Sequence, residues 1–205
     1  MLRRLRGPLA AVLLLVGLFS LGIGLGKAGG FSLAELFRGP GKAPPGEFPV
    51  LGPSRPLRIQ IPAIKVKAYI HGVGLDERGA IDTPSLLLRN EAGWFDDGPS
   101  PGQYGPAIIV GHVDTKDSPG VFHRLNELKP GAKIEITRRD NKVTVFEVNT
   151  VERFSKQSLP VDRIYHDYTR PGLRLITCGG RWVGGELGYA DNIVVFASLV
   201  STHKA

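Results

Sequence analysis

Cysteine is almost absent from this chain: Cys178 is the only one in 205 residues. No internal disulfide can form, so the fold must rest on a hydrophobic core, and the ordinary apolar fraction of 42% can supply one. Helical signals are few and internal repeats are missing. No basic run interleaves with aromatics, so the net charge of +7 does not point to nucleic acid. Much of that charge sits in residues 1–50, where six Lys/Arg face two acids, leaving +3 for residues 51–205. No metal-ligand constellation stands out. Asp76-Glu77 and Asp96-Asp97 lack the regular oxygen-ligand spacing of a calcium loop, and no cofactor is expected.

What is present begins with Arg3, Arg4 and Arg6 ahead of an apolar stretch from Leu9 to Leu25. That pattern is an export segment near the lower length limit for spanning a bilayer, and it is read as an uncleaved anchor over residues 1–26. The arginines stay in the cytoplasm, which places the remainder outside as a single-pass membrane protein with an extracellular domain. A Gly/Pro-rich linker follows over residues 27–56. It has too little apolar surface to fold alone. The domain spans residues 57–205.

Within that domain short strands alternate with turn residues. Leu57 to Ile61, Ile64 to Ala68, Lys133 to Thr137, Lys142 to Val148, Val151 to Phe154, Leu173 to Thr177 and Asn192 to Leu199 all read as strands, with a hairpin turn at Arg138 to Asn141. Ala107 to Gly111 is a continuous apolar run suited to a strand buried on both sides. Val121 to Leu128 and Ser158 to Tyr165 read as short helices. The fold class is all-β, a barrel or sandwich.

Cys178 closes the strand Leu173-Arg174-Leu175-Ile176-Thr177, and Gly179-Gly180 are expected to end that strand in a tight turn. Free cysteine usually serves as a small buried hydrophobe. In an exported chain, however, an unpaired cysteine is either a route to intermolecular pairing or a reactive thiol. A nucleophilic thiol needs a proton-transfer partner, usually histidine. Of the five histidines, His112 alone follows directly on a buried run, and so ends a core strand as Cys178 does. Acyl chemistry also needs a donor for the developing oxyanion. Arg181 lies three residues after Cys178, and Arg174 shares its face of an extended strand.

These residues resemble the sortases, and more narrowly their class F. The resemblance is carried by Ile59-Gln60-Ile61-Pro62-Ala63-Ile64, Gly93-Trp94-Phe95, Gly98-Pro99-Ser100-Pro101-Gly102, Gly105 to Asp114 with Gly111-His112, Thr177-Cys178-Gly179-Gly180 and Asp191-Asn192-Ile193-Val194-Val195. The resemblance implies a closed eight-stranded β-barrel with short helices. It also implies a membrane-anchored cysteine transpeptidase acting on surface proteins with Leu-Pro-x-Thr-Gly-like C-terminal sorting signals. Cysteine forms a thioester, and an amine from a cell-wall precursor or another protein resolves it. Cys178 is then the nucleophile and His112 the acid/base group. The family arginine belongs in the Tyr189-Ala190-Asp191-Asn192 context, where this chain has Ala190. Arg181 or Arg174 supplies the guanidinium from elsewhere, or Asn192 gives a neutral donor; Arg181 is the choice made here. Papain-like peptidases place cysteine before histidine, and L,D-transpeptidases carry a Ser-His-Gly-Cys-like block, so neither fits. A membrane-tethered β-barrel binding module with an inert Cys178 is the alternative from another class.

Overall fold

The computed structural model describes residues 49–185 and 188–205. The expected anchor and most of the expected linker lie outside the described residues. Among the described residues no helix is long and apolar enough to cross a membrane.

Eight strands form the domain: β1 (Pro56–Ile61), β2 (Val66–Val73), β3 (Ala92–Phe95), β4 (Gly105–Val110), β5 (Lys133–Arg138), β6 (Lys142–Ser155), β7 (Pro171–Gly184) and β8 (Gly188–Lys204). They close in the order β1-β2-β3-β4-β7-β8-β6-β5. Closure leaves no unpaired edge. The period of two in the sequence explains the layering. Ile59 and Ile61 of β1, Ile134 and Ile136 of β5, and Leu173 and Leu175 of β7 are all fully buried in one interior cluster. Each such side chain contributes about 1.5–3 kcal/mol by leaving water.

Two strands are buried on both faces, which the continuous apolar run foretold for β4 alone. All six residues of β4 are buried, as are Pro171 to Thr177 of β7. Their outward residues, Ile108, Val110 and Ile176, join Val194, Phe196 and Ile164 in a second cluster outside the barrel. Ile164 belongs to the one α-helix among the described residues, α1 (Val161–Tyr165). This helix is the outer cover of β4 and β7.

Several expectations are corrected. Val121 to Leu128 is not an α-helix; only Leu125–Glu127 forms a 3-10 turn. The bonds Leu125 N–H to Phe122 O and Leu128 N–H to Leu125 O span three residues. Phe122, Leu125 and Leu128 are the buried residues; their spacing of three matches a 3-10 period rather than 3.6. The second strand starts at Val66, because Pro62–Ile64 form a 3-10 turn and Lys65 takes a left-handed φ of 57°. Val151 to Phe154 is the continuation of β6 beyond a register shift, not a separate strand. The strand Ala92–Phe95 was not foreseen.

The linker boundary also moves. Leu51 N–H donates to Gly102 O at 2.9 Å and Ser54 N–H to Ser100 Oγ at 3.0 Å, so residues ahead of Pro56 already lie on the barrel. Arg138 organises this corner. It is 1% exposed, donates to Gly52 O at 2.7 Å and to Pro101 O, and pairs with Asp140 at 2.9 Å. A guanidinium is tolerated here because carbonyls and a carboxylate satisfy it.

Candidate active site

Strands β4 and β7 run parallel, pairing Gly105 with Pro171 through Val110 with Ile176, always 66 residues apart. β4 ends at Val110, but the connection continues. Gly111 N–H donates to Ile176 O at 3.1 Å, and Thr177 Oγ1 donates to Gly111 O at 2.7 Å. Extending the same register sets His112 beside Cys178. Alternation then fixes their face. Ala107, Ile109, Leu173 and Leu175 point inward, so Val110, Ile176, His112 and Cys178 share the outer side. Neighbouring strands lie about 4.8 Å apart, so the common register puts the two residues in adjacent positions.

The outer side here is a cleft of about 570 Å³. Phe95, Val110 and Ile176 form its apolar floor, Leu75 to Thr83 one wall, and Leu159, Val161 and Tyr165 of the α1 region the other. Burial pushes the Tyr165 phenol above its ordinary pKa, so it stays a neutral hydroxyl. Cys178 is half-buried, neither sealed in the core nor fully solvated.

His112 is held from several directions. Its Nε2 lies 2.6 Å from Pro84 O. A carbonyl only accepts, so Nε2 carries its hydrogen and Nδ1 is the ring atom left to take and return protons. Phe122 N–H donates to His112 O at 2.9 Å. Gly120 presses on the same peptide, since a Cβ there would lie 2.3 Å from His112 O. The loop returning from His112 is zipped by Thr115 N–H to Ser118 O at 2.7 Å and Gly120 N–H to Val113 O at 3.0 Å.

The expected tight turn at Gly179-Gly180 is a bulge instead. β7 continues to Gly184, with one extra residue against β8 between Gly179 and Trp182. Gly180 has φ +77°, and a Cβ would meet the Asp191 carboxylate at 2.2 Å, so only glycine fits. Asn192 is the direct cross-strand partner of Cys178 and lines the cleft. Arg181 is exposed and is not among the residues lining the cleft. It has no hydrogen-bond or ion-pair partner among the described residues. Extending the Trp182–Tyr189 register by one residue sets Arg181 across from Ala190.

Arg174 shares the face of Cys178, but four residues of strand, about 13 Å, separate them. It is 5% exposed, pairs with Asp167 at 3.1 Å and lies over the Phe196 ring at 4.8 Å. Burial works against its charge, offset by Asp167. Its role is to pin the segment after α1. Sequence reasoning missed Pro84, Gly120 and the Tyr189 hydroxyl, which donates to the Asp114 carboxylate. The stretch from Gly111 to Gly120 carries no sign that Gly120 folds back on His112.

The register thus sets a thiol and an imidazole at adjacent positions over an apolar cleft on a closed barrel. The sortase domain family matches residues 59–200, and the chain belongs to the sortase family, whose members are cysteine transpeptidases. Solved structures share the fold. A sortase D5 transpeptidase of Clostridium perfringens superposes with TM-score 0.54 at 22% identity, covering 72% of this chain and 79% of that one. Sortase A of Corynebacterium diphtheriae gives 0.56 at 21%, covering 77% and 63%. Sortase A of Listeria monocytogenes gives 0.55 at 18%, covering 75% and 92%. No curated protein matches the sequence.

Proposed function

We propose that this chain is a class F sortase that cleaves Leu-Pro-x-Thr-Gly-like sorting signals and passes the acyl group to an amine of the cell wall or of another protein. The observation that carries this reading is the common register that sets His112 beside Cys178 at the mouth of an apolar cleft. The Cys178 thiolate attacks the Thr-Gly carbonyl. The tetrahedral intermediate collapses to a thioester as protonated His112 gives its proton to the leaving amine. The incoming amine then loses its proton to His112, attacks the thioester and regenerates the thiolate. The apolar walls receive the Leu-Pro portion of the signal, and water is kept from the thioester.

Two groups support the oxyanion in this reading. Asn192, opposite Cys178, offers a neutral amide donor. Arg181 brings a guanidinium from β7 to the place across from Ala190, where the family arginine would otherwise stand on β8. The N-terminal apolar segment anchors the enzyme in the cell membrane with its barrel outside, within reach of surface proteins and cell-wall amines.

The test is intact-mass spectrometry of the full-length protein mixed with a Leu-Pro-x-Thr-Gly peptide, alongside Cys178→Ala. An acyl adduct on the wild type alone supports the proposal. A folded protein with no adduct and a Cys178 that resists alkylation at neutral pH would favour an inert binding module. No adduct with a rapidly alkylated thiol would overturn the Leu-Pro-x-Thr-Gly signal as substrate while keeping the thiol chemistry.

A further inference from the structure

Beyond Val110 and Ile176 the ladder between β4 and β7 stops, yet both reactive side chains stand past that point. Gly111 N–H to Ile176 O and Thr177 Oγ1 to Gly111 O tie the two chains just short of those side chains. On the β4 side the chain becomes the zipped loop from Gly111 to Gly120, with Asp114 two residues after His112 and bridged to Pro119. On the β7 side the paired strands β7 and β8 run on past Cys178. Tyr189 sits on that hairpin, its ring edge-on to Trp182 with centroids 5.1 Å apart. Its hydroxyl donates to Asp114 Oδ2, across 75 residues of sequence.

We infer that the Tyr189–Asp114 contact is a latch that fastens the His112 loop to the Cys178 hairpin, making Tyr189 a positioning residue for the transpeptidase pair. This rests on the reading of Cys178 and His112 given above. Three features support it. The contact joins the two segments that carry the reactive groups and no others. The Trp182 ring fixes the phenol on its hairpin independently of the loop. The hydrogen bond to Asp114 raises the Tyr189 phenol above its ordinary pKa, with burial and the charges of Asp114 and Cys178 adding to the effect. The phenol therefore keeps its proton, and keeps donating, throughout the neutral range.

The experiment compares full-length wild type, Tyr189→Phe, Asp114→Ala, Asp114→Asn and the Tyr189→Phe/Asp114→Ala double variant. Thioester formation is followed over time by mass, with KM and kcat separated, and thermal unfolding is measured on each. Tyr189→Phe keeps the ring and its contact with Trp182, so its Tm should stay near the wild-type value. Its kcat should fall about 10- to 100-fold with KM little changed, as misplacement of a reacting group predicts. Asp114→Asn still offers an oxygen to the phenol and should recover most of the rate that Asp114→Ala loses. The double variant should be no slower than the slower single one, because both changes open the same latch. Wild-type kcat in Tyr189→Phe, multiplying losses in the double variant, or a loss that tracks Tm alone would each overturn the latch. If the wild type forms no thioester, the proposed function fails instead. The same five proteins are then compared by the rate of Cys178 alkylation with iodoacetamide, where a uniform rate overturns the latch.

Discussion

Replacing Gly120 by alanine tests how closely the barrel sets its histidine. A methyl at that position would sit 2.3 Å from His112 O, 2.7 Å from its carbonyl carbon and 2.8 Å from its Cβ. Ordinary contact begins at 3.4 Å, so the tightest approach is about 1 Å short. All three atoms belong to the peptide and root of His112, not to the end of a flexible side chain. Relief requires moving that peptide, which Phe122 N–H holds at its carbonyl while Pro84 O holds the ring beyond it. Overpacking of this kind costs about 1–3 kcal/mol of stability. A displacement of about 1 Å at a reacting group costs about 100-fold in rate. Gly120→Ala should therefore show a lowered urea midpoint and a kcat reduced roughly 100-fold, read from the rate of sorting-peptide cleavage. Gly52→Ala is the control, since a Cβ there meets nothing within 4 Å; it should change stability by less than about 0.5 kcal/mol. Gly120→Ala with a wild-type midpoint and wild-type turnover would refute the claim that this contact places His112.

Arg181→Ala should lower peptide turnover about 100- to 1000-fold, whereas Lys156→Ala should not; equal activities remove Arg181 from the site. Asn192→Ala should slow acylation about 10-fold or more while leaving the far-ultraviolet spectrum unchanged, and an unaltered acylation rate would leave it no part in the chemistry. Arg138→Met should destabilise the barrel by about 3 kcal/mol or more in urea, because the buried carbonyls of Gly52 and Pro101 lose their donor; a shift under about 0.5 kcal/mol would show that water satisfies them. Asp167 is held below the ordinary carboxylate range chiefly by the Thr169 hydroxyl, Asp140 by Arg138 and Glu152 by Arg163. Each folded pKa is depressed, so the stabilisation is fully present above about pH 4.5 and is lost as pH falls through the folded values. Tm measured from pH 6 to pH 3 should drop below pH 4, and a level Tm across that range contradicts these pairings.

The strands were legible because a barrel wall imposes a strict period of two. Ile59/Ile61 and Ile134/Ile136 announce their faces, and Ala107 to Val110 announces a strand covered on both sides. Cys178 and His112 were singled out for a related reason, each following a buried strand run, although β7 continues past Cys178 to Gly184. Other features depend on distant partners that leave no local pattern. Ala92 to Phe95 has only four residues, too short for alternation, and becomes a strand by pairing in parallel with Ile70 to Val73. Arg138 looked like one end of a solvated hairpin turn, while the structure buries it under carbonyls 37 and 86 residues away. Gly179-Gly180 looked like a stop because two glycines commonly are one; against β8 they are a bulge that keeps the strand running. The helical reading of Val121 to Leu128 failed because spacings of 3 and 3.6 are indistinguishable over eight residues.

The pairing of β4 with β7 has a consequence for the order of events in folding. Local hairpins such as β5–β6 and β7–β8 close short loops, whereas β4 and β7 must find each other across 66 residues. Non-local parallel pairings form late, after their loop-closure entropy has been offset by other contacts. Until then, the thiol of the proposed mechanism has no imidazole at its side. A slip of one residue would turn one of the two groups to the opposite face. The proposed pair thus comes together only with the completed barrel, so in that reading assembly of the fold and assembly of the site are one event.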